Sequence, residues 1–149
     1  MLFSSRESEV RLFIYQYFID TAEAPPIRAI ADKLTITKAG AKASLKALES
    51  QHALVLKPDS FDIWMAHPFS AVPTPYPVKT EKVTYYANCA WDAIGIPALL
   101  GVDSETETTC PDCATPMTFG VQGGQLTGSD GVIHFVVPPR KFWDDVGFT

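Results

Sequence analysis

The spacing of apolar residues at the start of the chain predicts an amphipathic helix. Within Ser5–Thr21, apolar side chains at Val10, Phe13, Ile14, Tyr17 and Phe18 follow the spacing of a helix. Glutamates in the first turn suit the positive end of the helix dipole. We therefore expect one face of this helix to pack against the rest of the chain.

Two further helices are predicted to follow. Pro25 and Pro26 interrupt the first apolar pattern and suit the start of a second helix over residues 27–36. Thr37 is a residue type that accepts a backbone hydrogen bond at a helix start, so it can cap a third helix over residues 38–53. The N-terminal part of the chain therefore begins as a three-helix unit.

Two strand-like runs complete a familiar order of elements. Residues 53–58 and 61–67 are joined by a turn that contains Pro and Asp, as in a β-hairpin. Three helices followed by a hairpin is the order of a winged helix-turn-helix domain, which we expect over residues 1–67. Residues 68–79 are rich in proline and predict an extended linker.

The remaining residues, 80–149, mix helical and strand patterns. The patterns predict, in order, a helix over 84–100, a cysteine-containing turn, a strand over 115–122, a loop over 123–131, a strand over 132–138 and a short helix starting at Pro139. Pro97 is expected to kink the long helix or to end it early. This segment should form a small mixed sheet with helices, which makes the whole chain α+β.

Composition and charge narrow the class of protein. Hydrophobic residues make up 46% of the chain and charged residues 19%, which is typical of a globular protein. No apolar run is long enough to span a membrane and the N-terminus lacks a signal-peptide pattern, so we expect a cytoplasmic protein with no membrane partner. The net charge of -5 arises after Ala66 and gives no general attraction for nucleic acid.

Three lysines leave a nucleic-acid hypothesis open. Lys38, Lys42 and Lys46 recur at steps of four in the third predicted helix, which would enter the major groove in a DNA-binding domain of this kind. The same spacing also describes a solvated helix face, and the N-terminal segment has no net positive charge. We expect no nucleic-acid partner and keep a winged-helix DNA-binding regulator as an alternative.

The candidate chemistry lies in the stretch YYANCAWDAIGIPALLG, residues 85–101. Cys89 and Asp92 are three residues apart, so they would share one face of the predicted helix. A nearby carboxylate can accept the thiol proton and later return it to a leaving group. The pair is therefore suited to proton transfer. The alternative is a buried cysteine beside a capping or hydrogen-bonded aspartate.

The same stretch resembles the organomercurial lyase (alkylmercury lyase) family. The features in common are the Cys-x-x-Asp pair at Cys89 and Asp92 and the ending Pro-Ala-Leu-x-Gly over residues 97–101. The resemblance extends to the winged-helix-like start, to the stretch CPDCATPMTF and to VIHFVVPPRKFWDDVGF. It therefore covers most of the chain.

The resemblance implies an activity and a site. It implies cleavage of the carbon–mercury bond of a small organomercurial, with Cys89 as the first mercury ligand and Asp92 as the proton shuttle. Mercury would be substrate and product, no cofactor would be needed, and free thiols would carry the product away. Such a protein would contribute to mercury resistance.

The sequence departs from the family's pattern at the second catalytic cysteine. In the family this cysteine follows the strand that VIHFVVP resembles, whereas this sequence reaches Thr149 without one. A shortened chain, a gene with another role, and a selenocysteine codon read as a stop are three explanations; a selenolate would be a softer mercury ligand than a thiolate. An active lyase and an inactive binding remnant both remain open.

Cys110 and Cys113 form the turn CPDC, which has several interpretations. A zinc site would need a second pair of ligands, and a redox dithiol should follow a strand and open a helix. The turn can be structural, or its thiols can join Cys89 as mercury ligands, so these three cysteines are the candidate metal ligands. A soft-metal binding or sensing protein without lyase activity is the main alternative function. The histidines are assigned no site, and Trp91 is expected to pack in the core.

Overall fold

A computed structural model describes residues 3–128 and 130–147 of the protein. The elements, in chain order, are α1 (Ser5–Thr21), α2 (Ile27–Leu34), α3 (Lys38–Ser50), β1 (Val55–Leu56), β2 (Ile63–Ala66), β3 (Phe69–Ser70), β4 (Pro77–Lys79), β5 (Thr84–Tyr86), α4 (Ala90–Leu100), β6 (Ser104–Thr109), β7 (Pro116–Gln122), β8 (Gln125–Gly128) and a 3-10 helix (Pro139–Lys141). The predicted α+β class is confirmed.

Helix α1 has the predicted bounds, and its start is explained by a capping box. The Ser4 hydroxyl accepts a hydrogen bond from the Glu7 backbone N–H, and the Glu7 carboxylate accepts one from the Ser4 backbone N–H. Of the predicted apolar positions, Val10, Ile14 and Phe18 are buried, whereas Phe13 and Tyr17 are half-buried. Local sequence is sufficient to specify this helix and the face that it buries.

Helices α2 and α3 begin as predicted and end earlier. The first ends at Leu34 and the second at Ser50. The Thr37 hydroxyl accepts a hydrogen bond from the Gly40 N–H at 3.0 Å and so caps α3. Assignment of residues 1–67 to a winged-helix domain remains a prediction.

A three-stranded antiparallel sheet follows the helices, in the order β1-β2-β3. Its third strand, like β4, lies within residues 68–79, where the sequence predicted an extended linker. Phe69 of this sheet also forms a bridge with Ala87, next to β5. The proline-rich segment therefore connects two sheets through backbone pairing.

The second sheet has the order β5-β4-β6-β7-β8, and its strand pairs are antiparallel rather than mixed. Its central strand β6 was not predicted, because the sequence SETETT contains no apolar residue. Ser104 and Thr106 of β6 are buried, whereas Glu105 and Glu107 are exposed, so the strand alternates as it should. Strand β8 occupies residues predicted as a loop, and that prediction was wrong.

The predicted strand over residues 132–138 is also wrong. These residues have no regular secondary structure, and Val132 and Val136 are 92% and 66% exposed. A β-rich composition forms a strand only when a neighbouring strand satisfies the backbone N–H and C=O groups. Within the described part of the chain no strand pairs with this segment. The predicted short helix after it is present as the 3-10 helix that begins at Pro139.

One cluster of buried side chains joins the two halves of the chain. Phe69 lies at its centre, with its ring 5.4 Å from that of Phe18 and 5.4 Å from that of Tyr85. The Tyr85 hydroxyl donates a hydrogen bond to the Ile19 carbonyl at 2.8 Å. Residues 1–67 and 80–149 share this buried core. The division of the chain into two domains at these bounds stays a prediction.

Among the described residues, no helix has both the length and the apolar character needed to cross a membrane.

Candidate active site

Cys89 lies at the boundary of α4 and not inside a helix. The sequence predicted one helix over residues 84–100, but strand β5 occupies the start of that range and α4 begins at Ala90. Cys89 is the N-cap residue, with an extended backbone at φ -153° and ψ 178°. The thiol is therefore placed beside the first backbone N–H groups of the helix, and it shares no helix face with Asp92.

The environment of Cys89 favours the neutral thiol. Burial raises the pKa of the Cys89 thiol, and the negative charge of Asp92 raises it further. Backbone N–H groups of Asp92 and Trp91 act in the opposite direction without overcoming burial. Since the thiolate is the form that binds soft metals, Cys89 needs a base to take its proton.

Asp92 lies in the first turn of α4, where its carboxylate is held by two neighbours. Its Oδ2 atom accepts a hydrogen bond from the side-chain amide of Asn88 at 3.1 Å and lies 3.6 Å from His67 Nδ1. The side chain is 17% exposed. The carboxylate is thus oriented while one side of it still reaches solvent.

Asn88 ties this carboxylate to the backbone of the preceding sheet. Its amide nitrogen is also within hydrogen-bond distance of the Pro68 and Phe69 carbonyl oxygens, at 3.1 and 3.4 Å. These acceptors favour the orientation in which nitrogen, and not oxygen, faces them. The position of Asp92 is therefore coupled to the strand that carries Phe69.

His67 comes from the N-terminal half of the chain. Its backbone carbonyl accepts a hydrogen bond from the Tyr15 hydroxyl at 2.6 Å. Its imidazole Nδ1 lies 3.2 Å from the Asn88 amide nitrogen, and the edge of its ring contacts Trp143 at 5.6 Å between centroids. Helix α1, the β2–β3 turn and the C-terminal segment therefore all meet at this histidine.

A cleft of about 690 Å³ opens next to Asp92, between α1 and α4. We refer to it as the α1–α4 cleft. Its lining residues are Phe3, Ser8, Arg11, Leu12, Tyr15, His67, Pro68, Asp92, Gly95 and Leu99. The lining combines apolar side chains with polar and charged ones, and Asp92 is a catalytic candidate that reaches the cleft.

Comparison with known proteins identifies the family. The family model described as alkylmercury lyase matches residues 69–149, which is more than half of the chain. The chain belongs to the alkylmercury lyase family. The matched range contains Cys89, Asp92 and the CPDC turn.

A solved structure agrees with this family in its fold. The structure, described as the mercury-bound form of MerB2, is similar to this protein with a TM-score of 0.69 at 19% sequence identity. The alignment covers 83% of this chain and 59% of the other, so this alkylmercury lyase family member spans well under two thirds of that protein's length. A search of curated proteins returned no match.

Cys110 and Cys113 lie in the turn between β6 and β7. Cys110 is half-buried and Cys113 is exposed, with its Sγ atom 3.1 Å from the Thr115 hydroxyl oxygen. That contact, together with the Thr115 backbone and Cys110, lowers the pKa of the Cys113 thiol. The exposed Cys113 thiol therefore forms a thiolate more readily than an ordinary cysteine.

The three cysteines do not form one ligand cluster. Within residues 3–128 and 130–147, no group of three His, Cys, Asp or Glu side chains is arranged to hold a metal ion. Burial raises the pKa of Tyr76, and the charges of Cys89 and Cys110 raise it further, so both thiols are near this tyrosine. Assignment of Cys89, Cys110 and Cys113 as metal ligands remains a prediction.

Two of the three lysines of α3 contact other side chains of the same chain. Lys42 and Lys46 lie over the ring of Phe61, at 4.7 and 5.7 Å from its centroid, and Lys46 also pairs with Glu49 at 2.9 Å. These contacts give two of the three regularly spaced lysines a role in the fold that requires no DNA partner. They do not test the alternative that the protein is a DNA-binding regulator.

Sequence reasoning missed two neighbours of Asp92 and misplaced one aromatic residue. His67 was assigned no site because its approach to Asp92 depends on tertiary folding, whereas Asn88 could have been noticed from its position beside Cys89. Trp91 was expected in the core but is 61% exposed. Its ring contacts that of Phe135, at 6.3 Å between centroids.

Proposed function

We propose that this protein cleaves the carbon–mercury bond of small organomercurials, with Cys89 as the mercury ligand and Asp92 as the proton shuttle. The observation that carries the proposal is the placement of Cys89 and Asp92 at the start of α4 in a chain of the alkylmercury lyase family. The neutral thiol of Cys89 needs a base, and Asp92 is close enough to influence its pKa.

The first step forms a mercury–sulfur bond. The Cys89 thiol gives its proton to the Asp92 carboxylate, and the resulting thiolate donates an electron pair to the mercury of R–Hg⁺. The products are a Cys89–S–Hg–R adduct and a protonated Asp92. The net charge is unchanged. A neutral thiol, a carboxylate anion and the R–Hg⁺ cation give a neutral adduct and a neutral carboxylic acid.

The second step breaks the carbon–mercury bond. A second thiolate adds to mercury, and the protonated Asp92 delivers its proton to the mercury-bound carbon. The carbon leaves as R–H with the bonding electron pair, Asp92 returns to the carboxylate form, and mercury remains between two sulfur atoms. The second thiolate comes from a free small-molecule thiol or from Cys110, which shares the neighbourhood of Tyr76 with Cys89.

Free thiols also complete the cycle by removing mercury from Cys89. Thiolate ligands exchange readily on a soft ion such as mercury, so excess thiol can carry the product away. The cytoplasm is the compartment that keeps such thiols reduced. We therefore place this activity in the cytoplasm, without an organic cofactor.

The test is hydrocarbon release from phenylmercury by the 149-residue protein in excess small thiol. We expect benzene above the thiol-only background, and we expect Cys89→Ser and Asp92→Asn to abolish it. Asp32→Asn on the exposed face of α2 is the matched control for the charge change and should retain activity. Cys110→Ser separates a protein-derived second thiolate from an external one.

The two variants also distinguish cleavage from simple binding. Asp92→Asn should capture mercury at Cys89 more slowly, because solvent must then take the thiol proton, but should reach the same binding stoichiometry. If the protein binds mercury through Cys89 and releases no benzene, it is a soft-metal binding or sensing protein and not a lyase.

A further inference from the structure

We propose that the α1–α4 cleft holds the organic group of the substrate and that Arg11 selects organic groups that carry an anionic substituent, such as an aryl carboxylate. This inference rests on the proposed function, because it assumes that Asp92 protonates the mercury-bound carbon. It adds a chemical class of substrate and a residue outside the matched range of the family model.

The position of the organic group follows from the proton transfer. The mercury-bound carbon must lie against the Asp92 carboxyl group to receive its proton. Asp92 lies beside Cys89 at the start of α4, and its side chain also lines the α1–α4 cleft. An organic group bound through mercury to Cys89, with its carbon against Asp92, therefore has the cleft available to it.

The walls of the cleft suit a flat apolar group. Leu12 and Leu99 are 70% and 58% exposed, an unusual exposure for two large aliphatic side chains that line the same space. Gly95 leaves the α4 wall open, since a Cβ atom there would have Pro68 Cβ as its nearest neighbour, at 3.8 Å. An aromatic ring in this space would cover leucine side chains that are otherwise in contact with water.

Arg11 adds one cationic group to this apolar surface. Its guanidinium lies over the rings of Phe3 and Tyr15, at 5.2 and 5.4 Å from their centroids. In the described part of the chain it forms no ion pair with a carboxylate, unlike Arg28 of α2, which pairs with Asp32. A guanidinium presents paired N–H donors that match a carboxylate, and aromatic contacts hold its plane without consuming those donors.

Arg11 and Asp92 line the same cleft from two different helices. Tyr15 lies at the Asp92 end of the cleft, since its hydroxyl donates a hydrogen bond to the carbonyl of His67. Arg11 lies one helical turn before Tyr15 on α1. A para-carboxylate on an aryl group in this cleft can therefore approach Arg11 while the mercury-bound carbon lies at Asp92.

The experiment compares 4-mercuribenzoate with phenylmercury, two substrates that differ by one carboxylate. We expect a higher kcat/KM for 4-mercuribenzoate than for phenylmercury. The ratio used below is kcat/KM for 4-mercuribenzoate divided by kcat/KM for phenylmercury. We expect Arg11→Gln to lower this ratio by about 10- to 100-fold. Arg11→Lys should keep part of the preference, because it keeps the charge and loses the fork of donors. Arg6→Gln, on an exposed position of the same helix, removes an equal charge and should leave the ratio unchanged.

A ratio that falls equally in Arg6→Gln and Arg11→Gln would overturn the inference, since it would report net charge alone. A wild-type ratio at or below one would overturn it as well. Failure of the proposed function is a different result, namely no hydrocarbon from either substrate.

If neither substrate yields hydrocarbon, a measurement that needs no turnover decides the inference. It is the rate at which Cys89 captures each arylmercury in a Cys110→Ser/Cys113→Ser background. Faster capture of 4-mercuribenzoate that Arg11→Gln removes supports an anion subsite, and equal capture rates overturn it.

Discussion

The side-chain amide of Asn88 donates a hydrogen bond to Asp92 Oδ2 at 3.1 Å, across the first turn of α4. This contact links the residue before the candidate mercury ligand to the candidate proton shuttle. Because the Asn88 amide nitrogen is also within hydrogen-bond distance of the Pro68 and Phe69 carbonyl oxygens, it orients the carboxylate relative to the body of the protein.

Asn88→Ala should reduce turnover much more than mercury capture. Removing the amide frees the Asp92 carboxylate to rotate, and a displacement of about 1 Å at a reacting group can cost on the order of 100-fold in rate. The Cys89 thiol is not removed, so stoichiometric mercury binding should persist. The measurement is kcat for benzene release beside the mercury-binding stoichiometry of the same sample.

A stability control is needed for Asn88→Ala, since lost hydrogen bonds of a partly buried amide cost about 1–3 kcal/mol. Thr74→Val is a suitable match, because the Thr74 hydroxyl donates to the Ala87 carbonyl at 2.6 Å and is not a hydrogen-bond partner of Asp92 within the described part of the chain. If both variants lose the same fraction of kcat, orientation of Asp92 by Asn88 is not the cause.

Cys113 should react with a neutral alkylating reagent before Cys89 does. The Thr115 hydroxyl lowers the pKa of the exposed Cys113 thiol, whereas burial raises the pKa of Cys89. Iodoacetamide at pH 7.5 followed by peptide mass spectrometry measures both rates. Thr115→Val should slow the reaction of Cys113 and leave that of Cys89 unchanged. Equal rates at the two thiols would contradict this assignment of environments.

Stability should fall at alkaline pH, in part through Cys89. Its folded pKa is raised above the ordinary value of 9.0, so the folded state keeps a proton that the unfolded state releases. The stabilisation is complete below pH 9.0 and is lost as pH rises through the folded pKa. The urea midpoint of the wild type should therefore drop more between pH 8 and pH 10 than that of Cys89→Ala. Parallel curves for the two proteins would show that Cys89 makes no contribution.

Gly95→Ala should stabilise the protein while narrowing the α1–α4 cleft. Alanine is favoured over glycine inside a helix by up to about 1 kcal/mol, and the new methyl group has ordinary contact distances here. The melting temperature should rise, and kcat/KM for arylmercury substrates should fall relative to that for methylmercury. A rise in melting temperature with no change in this substrate ratio would mean that the organic group does not pass Gly95.

Gly120→Ala should have the opposite effect on stability. A Cβ atom at this position would lie 2.0 Å from the Ser104 carbonyl oxygen, which belongs to the paired strand β6. Relief requires β6 and β7 to separate, so we expect a loss of at least about 1–3 kcal/mol in the free energy of unfolding. Chemical denaturation of the two alanine variants, side by side, tests both signs with the same substitution.

Local sequence was sufficient for the first three helices and for the short helix at Pro139. The capping residues Ser4 and Thr37 act through the next few residues, and the apolar spacing of α1 identified its buried face correctly. The family resemblance at Cys89 and Asp92 was likewise contained in one continuous stretch. These features depend on neighbours within a turn or two of helix.

Tertiary structure decided the second sheet and the surroundings of the catalytic candidates. Strand β6 forms from a polar sequence because β4 and β7 pair with it, whereas apolar residues 132–138 remain without regular structure because no described strand does. His67 approaches Asp92 only when the Tyr15 hydroxyl and the Asn88 amide bring distant segments together. The sequence by itself determined the first three helices and the thiol–carboxylate pair. Only the folded chain decided where α4 begins and which backbone and side chains surround that pair, since those partners are distant along the chain.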